Sequence, residues 1–145
     1  MQAANVHQLA CAVLSKINAD RVFNSTIDAS RDTMIGNLKR LGIDDAQATD
    51  LIDRLLLPDL RARMPELRTR CENILVLDFT PDEMQAVLSG ESNAARQSAR
   101  AKLPQMQADS TNAGQSWGEA VGYDAFAKNR TTFEKLGINE KAIAP

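Results

Sequence analysis

The chain has 145 residues, 43% of them hydrophobic and 25% charged, which marks a globular chain with a real core and excludes a disordered one. Its formal net charge of -2 gives no overall pull toward nucleic acid or anionic membranes. No apolar run approaches the roughly 18 residues that a transmembrane helix needs.

The first residues, Met1-Gln2-Ala3-Ala4-Asn5, carry neither a basic region nor an apolar run. They are similar to the small-residue end of a cleaved signal with an added start Met, and the alternative is a native cytoplasmic start. Val6, Leu9, Ala10, Val13, Leu14 and Ile17 follow the spacing of one helix face and predict a first helix over about 6–17. A loop or break is expected over 18–24, with Val22 and Phe23 turned inward. A second helix is predicted over about 26–41, with Ile27, Met34, Ile35, Leu38 and Leu41 on one stripe. Gly42 should end it in the left-handed conformation, bringing Ile43 onto Leu38 as a Schellman cap does. Asp44 is the next N-cap, with Gln47 at the capping-box position. Leu136-Gly137-Ile138-Asn139 repeats this chemistry, so Ile138 should meet Phe133.

The stretch from about 45 to 77 reads as one long helix, because Leu56, Leu60, Met64, Leu67, Cys71 and Ile74 keep a helical register. Pro58 and Pro65 lie inside it and predict kinks or short breaks, of which the unbroken apolar register favours kinks. The sharpest local signal comes next, in Phe79-Thr80-Pro81-Asp82-Glu83-Met84. Thr80 and Glu83 have capping-box spacing, Pro81 suits the first helical position, and Phe79 and Met84 can form a hydrophobic staple. The helix that starts there should be short and end at Ser89-Gly90. A last long helix begins after Ser92, with Ala99, Leu103, Met106, Ala113, Trp117 and Val121 as its apolar stripe and Pro104 as a kink. Tyr123, Phe126, Phe133 and Leu136 extend the apolar series to the C-terminus. No alternating strand pattern occurs, so the predicted fold is all-α: a single-domain bundle of five or six helices over 1–145, with a long kinked central helix and a long C-terminal helix.

The corner Asp78-Phe79-Thr80-Pro81-Asp82-Glu83-Met84, together with Ser89-Gly90 and Lys102-Leu103-Pro104 downstream of it, resembles a bacterial family known as domain of unknown function 2059. Over about 67–130 the resemblance rests on a Phe-Thr-x-x-Glu corner, a turn with Gly and a Lys-x-Pro element. The chain departs from the pattern at Met84, where the family has Leu, and at Ser89-Gly90-Glu91-Ser92, which lacks the family's aromatic and Pro. The resemblance implies an all-helical, exported protein, periplasmic or secreted. It implies no activity and no catalytic residues. In such a chain Cys11 and Cys71, on two helices, are the candidates for a disulfide.

Other candidate sites are sparse. His7 and Cys11 have metal-ligand spacing on one helix face, but with Cys71 they make only three ligands, so no metal and no cofactor is assigned. Asp44, Asp45, Asp50 and Asp53 read as caps and a solvated face, and Ser89 and Ser92 as turn residues. Arg54, Arg61, Arg63, Arg68 and Arg70 form the candidate anion-contact set, with Asp59, Glu66 and Glu72 among them. Gly114, Gly118 and Gly122 lie on one helix face beside Trp117, Val121 and Tyr123. This face is either a homodimer interface or an internal packing surface. The leading function is an exported helical protein that acts through protein or ligand contacts and not through catalysis. The alternatives are a carrier that holds a small apolar ligand between helices, and an enzyme of unrecognised type.

Overall fold

The computed structural model describes residues 3–139, with side chains from Asn5 onward. Among the described residues the chain is all-helical and forms no strand. Eight helices run in order: α1 (Ala3–Lys16), α2 (Ala19–Arg40), α3 (Asp45–Leu55), α4 (Leu57–Ala62), α5 (Met64–Asp78), α6 (Pro81–Ser89), α7 (Ala94–Lys128) and α8 (Arg130–Lys135). The reading of Met1 and Gln2 as the end of a leader lies outside the described residues.

Two boundaries differ from the sequence expectation. The loop expected over 18–24 contracts to the turn around Asn18, which adopts a φ of 56°, and α2 begins at Ala19. Asparagine tolerates the left-handed conformation better than most residues, so one position suffices to turn the chain. Phe23 is buried as expected, but Val22 is exposed. The long kinked helix is instead three helices. Leu56 separates α3 from α4 with φ −114° and ψ −46°. Arg63, with φ −98° and ψ 6°, separates α4 from α5. Pro58 has no amide for the carbonyl of Arg54, and Pro65 none for that of Arg61, so the helical ladder is interrupted at both places. The amide of Leu60 still reaches the carbonyl of Leu56 at 3.0 Å. Leu56, Leu60, Leu67 and Cys71 are therefore all buried, and the apolar register survives the breaks.

The chain divides into two compact units. Unit one joins the residues up to Phe23 to Glu66–Ala113, and unit two joins Asn24–Pro65 to the residues from Gly114 on. In unit one, Val13, Leu14, Phe23, Leu67, Leu75, Phe79 and Met84 are buried with Ala10, Ala19, Ala86 and Ala99. In unit two, Met34, Ile35, Leu38, Leu51, Ile52, Leu56, Phe126, Phe133 and Ile138 make one cluster, with Ile43 and Leu136 packed against it. Both predicted Schellman caps belong to this cluster. Gly42 has φ 89° and Gly137 has φ 74°. The amide of Ile43 donates to the carbonyl of Leu38 at 3.2 Å, and that of Ile138 to the carbonyl of Phe133 at 3.0 Å. The same cap thus turns an isoleucine back onto the core at two places in one unit. Asp44 caps α3 by accepting from the amide of Gln47 at 3.0 Å.

Candidate functional site

The corner at α6 forms as its residues predict. Thr80 Oγ1 accepts from the amide of Glu83 at 3.2 Å, and Glu83 Oε1 accepts from the amide of Thr80 at 2.8 Å, a complete capping box. Phe79 and Met84 are both buried, as the staple requires. Gly90, at φ 74°, closes α6.

The sequence does not announce what else Glu83 does. Its side chain is buried, and three groups donate to it. Besides the Thr80 amide, Lys102 Nζ donates to Oε1 at 2.6 Å and Ser98 Oγ donates to Oε2 at 2.6 Å. Burial opposes the charge, but the donors from Lys102, Ser98 and Thr80 outweigh it and hold the carboxyl down at about 2. Two pieces of sequence that carried the family resemblance, the corner and the Lys-x-Pro element, are thereby joined in one ion pair across α6 and α7.

Asp78, at the end of α5, has a different environment. Its Oδ2 is buried and meets no donor. Burial raises its pKa above the usual carboxylate range, contact with the Asp109 carboxyl adds to the rise, and Lys102 opposes it. Gln105 Nε2 donates to Asp109 Oδ1 at 2.9 Å. On another face of unit one, Asn5, Gln8, Leu9 and Gln85 line a cleft of about 380 Å³ between α1 and α6.

The predicted disulfide is not formed; both cysteines are free thiols. Cys11 is exposed, and the group that meets its Sγ is Arg68 Nη2 at 3.8 Å. Cys71 is buried, and burial pushes its thiol pKa up while a hydrogen bond with Ser110 opposes the rise. One sulfur is spent on a surface contact and the other on the core. Among the described residues no group of three or more His, Cys, Asp and Glu side chains is placed to hold a metal ion.

The five candidate arginines divide between the units. In unit two, Arg54 pairs with Asp50 at 3.4 Å, Arg61 is exposed within the field of Asp53, and Arg63 Nη1 pairs with Asp124 Oδ2 at 2.6 Å. In unit one, Arg68 pairs with Asp20 at 2.8 Å and Glu72 at 3.6 Å, and Arg70 Nη1 donates to the carbonyl of Ala113 at 3.5 Å. The glycine face of α7 is used inside unit two. Trp117, Gly118, Val121 and Gly122 are buried, and only Tyr123 is exposed. A Cβ on Gly114 would lie 3.8 Å from the methyl of Thr26, an ordinary contact. Trp117 Nε1 donates to the carbonyl of Arg63 at 3.1 Å, so the indole anchors the junction of α4 and α5.

No family model, curated protein or solved structure matches this chain. Among the described residues no helix is long and apolar enough to cross a membrane.

Proposed function

We propose that the protein acts by contact and not by catalysis, as an exported bacterial helical protein whose partner is another protein or a second copy of itself. The observation that carries this reading is the condition of Glu83. Among the described residues it is the buried charged side chain, yet it is ionised, triply hydrogen-bonded and paired with Lys102. A carboxylate held at about 2 and enclosed by donors is a poor general base near neutral pH, and its neighbours are spent on holding it. The most chemically distinctive group in the fold is thus used for architecture. Export rests on the resemblance of the Phe79 to Met84 corner to an exported family.

The test combines two measurements on the full chain. Natively produced protein should sediment above its 15.9 kDa monomer mass. Panels of metabolites, cofactors and fatty acids should leave its melting temperature unmoved. A monomer at native concentration whose melting temperature rises saturably with one small molecule would overturn the proposal, since a ligand at about 100 times its Kd stabilises by about 2.7 kcal/mol.

A further inference from the structure

Three carboxamides of unit one line one cleft and are spent on nothing inside the chain. Asn5, Gln8 and Leu9 form its α1 wall, and Gln85 stands on the α6 side, around about 380 Å³. Residues three and four apart on a helix share a face, so the α1 wall is continuous. Asn5, Gln8 and Gln85 are exposed, and among the described residues their side chains meet no hydrogen-bond partner. The walls themselves are fixed. Gln85 lies between Met84 and Ala86, both buried, and Leu9 precedes the fully buried Ala10. Glu83, two positions before Gln85, ties α6 to α7 through Lys102 and Ser98. Lys16 Nζ donates to the carbonyl of Leu88 at 2.7 Å and joins α1 to α6. A site held in this way takes a ligand without rearranging, which lowers the ordering cost of binding.

The lining selects by hydrogen bonding and not by charge. Each carboxamide sets a carbonyl acceptor beside an amide donor. The group that offers the complementary pair, and offers it repeatedly, is the peptide backbone, whose N–H and C=O both demand partners. Carboxamides on two walls can hold an extended strand from both sides. Leu9 and the methylene stems of the two glutamines supply carbon surface for an apolar side chain. Among the described residues the lining holds no charged group to offset a ligand charge and no aromatic ring for a flat ligand to stack on. We propose that the α1–α6 cleft binds an uncharged, extended peptide segment of a partner protein, with Asn5, Gln8 and Gln85 on its backbone and Leu9 under one of its apolar side chains. The inference rests on the reading of the protein as one that acts by protein contact.

The probe is a capped pentapeptide of serine and glycine with one central leucine. It is titrated into the isotope-labelled full chain to about 10 mM, a range that suits a few hydrogen bonds. The side-chain amide signals of Asn5, Gln8 and Gln85 should shift saturably. The same peptide N-methylated along its backbone should leave them unmoved, since it has lost its donors. Gln8→Ala combined with Gln85→Ala should weaken binding about ten- to a hundredfold and keep the wild-type melting temperature, because both side chains are exposed. If that variant melts lower, the two peptides on the wild type decide alone. Signals that stay put to the end of the titration, equal shifts from both peptides, or an unchanged affinity in a stable double variant would overturn the proposal. Sedimentation of the same sample keeps the two readings apart. A protein that runs above its monomer mass and ignores the peptide loses the cleft site and keeps its contact function.

Discussion

The two units solve the same problem with different materials. Unit two fills its interior with large apolar side chains. Trp117, Phe126 and Phe133 are fully buried there, and the last two stack with ring centroids 5.6 Å apart. Its charges lie around that core, as in the two-point pair of Arg31 with Asp53 at 2.5 and 2.9 Å. Unit one buries more alanine and no tryptophan, and it takes a glutamate into its core. Apolar packing is nearly indifferent to pH, whereas a buried carboxylate links folding to it. Unit one should therefore respond to pH, ionic partners and amide substitutions, and unit two to changes of volume.

The largest effect expected from that comparison is in unit two. Trp117→Ala removes the biggest buried side chain and leaves the Arg63 carbonyl without its indole donor, so denaturant unfolding should show a loss of about 3–5 kcal/mol. In unit one, Glu83→Gln keeps the shape but removes the ion pair. It should cost about 1–3 kcal/mol at neutral pH, since hydrogen bonds to charged groups are worth roughly that much. Measured between pH 5 and 2, the deficit should shrink as the wild type approaches the low value of Glu83.

Smaller effects sharpen the contrast. At Gly137, φ is 74° and a Cβ would meet nothing within 4 Å, so only the backbone resists substitution. Gly137→Ala should cost about 1–2 kcal/mol by calorimetry. The smallest is Arg54→Ala. Arg54 and Asp50 are both exposed and lie one helical turn apart, so the loss should stay below about 0.5 kcal/mol.

What could be read from the sequence was what neighbours along the chain decide. The two Schellman caps, the Asp44 cap and the Thr80–Glu83 box each use residues within five positions, and local chemistry fixes them. The breaks at Leu56 and Arg63 were legible as disturbances at Pro58 and Pro65, though proline spacing alone does not say whether a helix bends or stops. The pairing of Glu83 with Lys102 joins residues 19 positions apart on different helices, and no periodicity marks it. The division into units leaves no trace in composition, because the chain crosses between them inside α2, α5 and α7 and not through a linker. The cysteines misled because both lie on helices of one unit, yet the direction of each side chain, and not its helix, decides pairing.

Hydrogen exchange on wild type and Glu83→Gln at neutral pH tests most directly whether buried charge holds unit one and apolar packing holds unit two. Amides of α6 and of residues 94–113 in α7 should exchange about ten- to a hundredfold faster in the variant, the equivalent of roughly 1.4–2.7 kcal/mol, while those of α3 and α8 keep their wild-type rates. Equal acceleration in both units, or none in either, would contradict it.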